Sequence, residues 1–240
     1  MKTSLDKGII VWLLMAAVLS NPSQAIEKIQ PAGNPSPVEI DIPDEALLKT
    51  LKACFAQTLN SRNSVGVENA ATPADLSLVE ASSSKALKRL SAGGAWSASD
   101  ARLAGELIRR GQRARALALL RYAAVAPARN KNDADSISAF RSLLAYDRKE
   151  TLALAAGVPA EWLEDGVMIR HLPTPYGPVS FQYRRTIEPF TNTDKDTFLF
   201  RAEGSARPPG GFELPLPPEW NILSATVNGT PAATTNQILR

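Results

Sequence analysis

The spacing of apolar residues changes twice along this chain. Ile9 to Leu19 is an unbroken apolar run. From Asp44 onward apolar residues recur every three or four positions, and beyond Thr151 they alternate with polar residues in short segments. The three-to-four spacing predicts amphipathic helices and the alternation predicts strands. Ala46, Leu47, Leu51, Cys54, Phe55 and Leu59 share one helical face, with Lys49, Lys52 and Gln57 opposite, and Asp44 stands where an N-cap belongs. Further helices are expected over Leu76–Leu90, Asp100–Arg110, Arg113–Val125 and Ser136–Tyr146, with Ser97 or Ser99 capping the third. The third and fourth, parted by Gly111-Gln112, read as an αα-hairpin. The segments 61–75 and Pro127–Asp135 read as loops.

Strands are expected at Leu152–Ala155, Val167–Arg170, Val179–Arg184, Thr197–Ala202, Phe212–Leu216 and Ile222–Val227. Ala160–Leu163 reads as one helical turn after Pro159, and Asn228-Gly229 as a hairpin turn. Val38–Ile42 alternates apolar and acidic residues, as a short strand or an extended entry segment does. The fold class expected is α+β: helical hairpins first, then an antiparallel β-sandwich-like domain. The divisions read from the pattern are 1–25, 26–43 (entry segment), 44–150 (helical region) and 151–240 (β domain).

The first of these divisions reads as a secretory signal peptide. Lys2 and Lys7 precede the apolar run, Asn21-Pro22 breaks it, and Ser23-Gln24-Ala25 fits a small-x-small cleavage site, so the mature chain is expected to begin at Ile26. A membrane anchor takes about 20 apolar residues and this run is nearer half of that, so a retained anchor is the second reading, and no later stretch reaches that length. A periplasmic or extracellular location follows, with no membrane association after cleavage. Cys54 is the sole cysteine, which excludes an internal disulfide, and it reads as a buried inert thiol. The net charge of +3, with acids and bases interspersed, gives no nucleic-acid footprint. Arg109, Arg110, Arg113, Arg115 and Arg121 form a stripe that reads first as a solvated face and second as an anion site.

One stretch carries a resemblance. Gly157, Val158, Pro159, Trp162 and Leu163, then Leu172, Pro173, Thr174, Tyr176, Gly177, Ser180 and Phe181, and finally Asn228-Gly229, resemble the carboxy-terminal part of large secreted bacterial glycoside hydrolase-like proteins built on an (α/α) toroid. Val38–Leu59 is similar to the strand and helix that enter such toroids. The resemblance implies a β-sandwich end appended to a helical catalytic region. The region between Asp44 and Tyr146 has room for about five helices of ordinary length, short of the six hairpins a toroid takes. None of the family's catalytic carboxylates has a counterpart here.

The chain's own chemistry is sparse. Glycoside hydrolysis takes two carboxylates about 5–10 Å apart, and the acids nearest the resemblance are Glu161, Glu164 and Asp165. Trp162 and Tyr176, with Glu161 and Asp165, are the candidate carbohydrate contacts: Trp162 either stacks a sugar or plugs the junction of helices and sheet, the commoner use of a tryptophan. His171, the sole histidine, has no sequence neighbours that make a triad or a zinc site, and HExxH, CxxC, GxSxG and phosphate-cradling loops are absent from the sequence. No cofactor and no metal are expected. The function expected is that of an exported accessory protein related to the non-catalytic end of glycoside hydrolase-like proteins, with polysaccharide or another envelope protein as partner. A diverged or truncated glycan hydrolase is the alternative.

Overall fold

The computed structural model describes residues 8–16, 37–60, 76–125, 134–186, 196–217, 219–232 and 238–239. The proposed cleavage site, most of the entry segment, the 61–75 segment and residues 127–133 of the expected second loop lie outside the described residues. The chain is α+β, with helices preceding most of the strands.

Five helices form the first layer: α1 (Glu45–Asn60), α2 (Leu76–Ser91), α3 (Ala98–Arg109), α4 (Arg113–Val125) and α5 (Ala134–Leu144). Their starts are written in the sequence. Asp44 accepts the Leu47 N–H at 3.0 Å at the head of α1. Ser97 and Asp100 form a capping box at the head of α3, each side chain accepting from the other's backbone. Gly111, at φ 73°, turns α3 into α4. The hairpin so formed packs α3 against α5, and α4 against α1 and α2. Leu107, Ile108, Leu117, Leu119, Leu120, Phe140 and Leu143 are buried between them.

The helical expectation over Ser136–Tyr146 overshoots. α5 ends at Leu144, and Ala145–Arg148 is strand β3, paired antiparallel with β4 (Thr151–Leu154). Gly157 explains the exit: its N–H donates to the Leu143 carbonyl at 3.0 Å, and a Cβ there would lie 2.7 Å from the Leu143 side chain. The Ala155 N–H takes the Leu144 carbonyl at 2.7 Å. The returning chain thus satisfies the last carbonyls of the helix.

The remaining strands are β1 (Gly8–Ala16), β2 (Glu39–Asp41), β5 (Val167–Leu172), β6 (Val179–Thr186), β7 (Asp196–Gly204), β8 (Phe212–Pro215), β9 (Asn221–Val227), β10 (Thr230–Pro231) and β11 (Ile238–Leu239). Seven of them make one sheet in the order β10-β9-β1-β7-β6-β5-β2, and the other two join β3 and β4 in a second, β11-β8-β4-β3. The run β2-β5-β6-β7 is antiparallel throughout. The sheets are nevertheless mixed, because β1 runs parallel to both neighbours and β4 runs parallel to β8. The Asn228-Gly229 turn joins β9 to β10 with both residues at positive φ, 52° and 78°.

The division drawn after residue 150 falls in the turn between β3 and β4, so β3 stands on the helical side of it. β2, from the entry segment, is an edge strand of the large sheet, and the apolar run of the amino terminus supplies one of its interior strands. One continuous buried cluster extends from the helices through both sheets.

Candidate functional site

Of the four residues singled out from the sequence, Glu161, Trp162 and Asp165 share one turn and Tyr176 stands apart. Ala160–Leu163 forms a single 3-10 turn that packs against β6. Trp162 points inward at 3% exposure, so its ring faces are covered by protein, while Glu161 and Asp165 are exposed on the same turn. Gly166, next along the chain, lies under Arg184 near the far end of β6. Tyr176 sits in the turn before the start of β6, half-buried, its hydroxyl donating to the Lys149 carbonyl at 3.3 Å. The length of β6 separates the two places by about 20 Å at the usual rise per residue. Burial pushes the Tyr176 phenol up, with Asp147 and Glu150 adding to it.

The arginine stripe divides. Arg109 and Arg110 both bind Glu106 (3.3 and 2.5 Å), Arg115 binds Glu80 (3.0 Å) and Arg121 binds Asp44 (2.8 Å). These four are ion-paired, which fits the surface reading better than an anion site. Arg113 departs from it. It is buried at the start of α4 and donates to the carbonyls of Val158, at 2.9 Å, and Pro215. Burial holds its guanidinium below the ordinary value, opposed by Tyr183, Glu219 and Tyr146. On the nearby small sheet Tyr146, Ala153 and Glu213 lie in one cross-strand row, all buried. Glu213 pairs with Arg148 at 3.5 Å. Burial pushes the Tyr146 phenol up against the pull of Arg148. This polar interior joins the helical layer to the β layer; it opens into neither concavity described below.

Two concavities stand out. The larger, about 780 Å³, lies between α2 and the head of α3 and is lined by Lys85, Lys88, Arg89, Asp100 and Leu103 among others. Its Arg89 is spoken for by Asp100 and the Ala95 carbonyl. The smaller, about 180 Å³, is a shallow groove on the outer face of β5, β6 and β7. Register builds its floor. Asp41, Met168, Gln182 and Arg201 stand side by side across β2, β5, β6 and β7, and Ser180 pairs with Glu203 in the next row. Arg170 continues that second row toward Glu39, which it binds at 3.3 Å, while Arg201 binds Glu203 at 3.3 Å.

A bulge shapes the end of this groove. The β5–β6 register shifts between Ile169 and Leu172, and His171 sits in the shift at φ 56° with its N–H donating to Ser180 Oγ at 3.0 Å. Bulges with a non-glycine residue in the left-handed region recur beside binding sites, where they re-aim side chains. His171 is exposed. The groove therefore offers fixed donors and acceptors of both signs on a rigid sheet, with Met168 as its apolar element. Glu203 lines the groove, with Asp41 and Glu39 at its β2 edge, and Asp100 lines the larger concavity.

Among the described residues no group of three or more His, Cys, Asp and Glu side chains comes together as a metal site, and no helix is long and apolar enough to cross a membrane. Comparison with protein-family models, with curated proteins and with solved structures yields no match to this chain. No single stretch of sequence shows the groove, because its rows are assembled from strands as far apart in the chain as β2 and β7. The alternation of Ser180, Gln182 and Arg184 on the polar side of β6 was the one local signal.

Proposed function

We propose that this chain is an exported accessory protein, related to the non-catalytic end of secreted glycoside hydrolase-like proteins, that holds polysaccharide on the outer face of β5, β6 and β7. The observation that carries the reading is the pair of polar rows across that face. Arg170, Gln182, Arg201 and Glu203 present planar polar groups, and Ser180 a hydroxyl, suited to the donor–acceptor pairs of sugar hydroxyls. Both arginines of the rows are paired with carboxylates, Arg170 with Glu39 and Arg201 with Glu203, which suits a neutral polyhydroxyl chain better than a polyanion. Export rests on the basic start, apolar run and small-x-small end of residues 1–25. Against hydrolysis by the chain alone stands the pairing of Glu203 with Arg201 and of Glu39 with Arg170, since a glycosidase needs two carboxylates, one of them kept protonated by its surroundings.

The test is retention of the purified exported protein on a panel of plant and bacterial polysaccharides. Retention is expected on at least one, weakened about tenfold by Gln182→Ala with Arg201→Ala, which at about 1.4 kcal/mol is the scale of one or two lost hydrogen bonds. Glu161→Gln and Asp165→Asn are expected to leave retention unchanged. Release of sugar that either of these two abolishes would replace the accessory reading with that of a diverged hydrolase.

A further inference from the structure

β1 occupies a place that the proposed export would empty. Ile9 to Ala16 pair with Asp196 to Glu203 of β7, and Gly8 to Leu13 pair with Asn221 to Val227 of β9, both in parallel. These residues are the apolar core of the segment read as a signal peptide. Cleavage after Ala25 would remove them from the mature chain, leaving β7 and β9 facing each other across a one-strand gap of about 10 Å, twice the usual strand spacing. Both walls of the gap would present unpaired N–H and C=O groups along six or more residues. Such groups are costly to leave unmet inside a sheet.

The gap does not close by itself at low cost. Trp220, at the entrance to β9, stacks on Phe198 of β7 with ring centroids 4.3 Å apart, so sliding β9 against β7 would break that stack. Val11 is fully buried, opposite Phe198 on one side and Ala225 on the other, so its loss leaves a hole in the core at the same level. The chain that follows the cleavage site cannot take the place of β1, because Pro31, Pro35 and Pro37 deny it the N–H groups an interior strand needs. A second mature copy has lost the same segment. Leu223, at the register shift of β9 beside the gap, is a large apolar side chain 51% exposed.

We propose that, in the processed protein, the position of β1 between β7 and β9 receives an extended apolar strand from a different envelope protein, parallel to both walls. The proposal rests on the export reading above. The segment that fills the place in this structure, Gly8–Ala16, sets the chemistry of the occupant: about nine residues, uncharged, without proline, able to bond through both backbone edges. Strand addition of this kind draws affinity from backbone hydrogen bonds and specificity from alternate side chains.

The experiment uses protein recovered from the periplasm after natural processing, with its amino terminus sequenced. The probe is a synthetic peptide of residues 8–16 carrying lysines at both ends for solubility, and the control is the same peptide with Leu13→Pro. Hydrogen exchange is followed in 196–204 and 221–227. We expect the peptide to slow exchange in both segments at least tenfold and to raise the melting temperature, and the control to do neither. If the processed chain alone is unfolded, folding on addition of the peptide supports the proposal, and failure to fold overturns it. Equal protection of β7 and β9 with and without peptide means the sheet closes on itself and overturns it. A chain that still begins at Met1 removes the export reading, makes β1 a permanent strand of its own sheet, and overturns the proposal for that separate reason.

Discussion

The α3–α4 hairpin and the centre of the large sheet are both densely apolar, yet they are held together differently. In the hairpin every backbone bond is made within a few residues, and the turn at Gly111 sets the geometry before any distant contact is needed. In the sheet, the backbones of β7 and β9 are joined only through β1, which comes from the other end of the chain. The helical layer is therefore locally determined, whereas the sheet depends on one strand that lends it two edges. Propensity and capping govern the first kind of order, and burial and register govern the second.

The sharpest way to break that contrast is at Trp162, where the chain leaves the small sheet for the large one. It is buried on a 3-10 turn against β6, and Trp162→Ala should cost about 3–5 kcal/mol, as for other buried aromatics. Chemical denaturation checks this. A variant that keeps its stability but loses polysaccharide retention would make the ring a binding element instead.

Arg113 couples the two layers by reaching from α4 to the carbonyls of Val158 and Pro215. Arg113→Met should cost about 2–4 kcal/mol, because two buried carbonyls lose their donor. It should also split the unfolding curve so that far-ultraviolet and aromatic signals no longer coincide. Coincident transitions in the variant would show that apolar packing alone unites the layers.

The smallest effect lies at Tyr183, fully buried in β6 between Phe198 and Phe200. Its hydroxyl finds no hydrogen-bond partner among the described residues, and burial pushes the phenol well above its ordinary value of 10.0. The unfolded chain releases this proton as pH passes 10 while the folded chain keeps it. Stability is therefore full below that point and falls above it, by up to about 1.4 kcal/mol per pH unit. Tyr183→Phe should be close to neutral at pH 7 and should flatten the alkaline decline, as read from melting temperatures between pH 9 and about 11. An unchanged decline would place the alkaline sensitivity elsewhere.

The helical layer was largely legible from the sequence because its signals are local. Asp44, Ser97 and Gly111 each act within four residues; Asp44 and Gly111 stand where the pattern put them, and Ser97 is the cap of the two that it offered. β6, β7 and β9 were legible from alternation, and the turn between β9 and β10 from Asn228-Gly229. β3 was not, since Ala145–Arg148 continues the apolar spacing of α5 and only the return of Gly157 onto Leu143 ends the helix. β1 was not, because an unbroken apolar run is the mark of an export signal and of an interior parallel strand alike. The candidate groove was hidden for another reason: no stretch of sequence contains it. Glu39 and Arg170 become neighbours only through antiparallel register, 131 residues apart.

The place of β1 also sets a timetable. Among the described strands β1 is the first to leave the ribosome, and its two neighbours, β7 and β9, come long after it. At about 5–20 residues per second, β1 waits roughly 10–40 s for them. During that interval the helical layer can assemble, while the large sheet stays open. Whatever holds the first strand in the meantime, whether membrane machinery, a chaperone or nothing, decides in which compartment the sheet is finished.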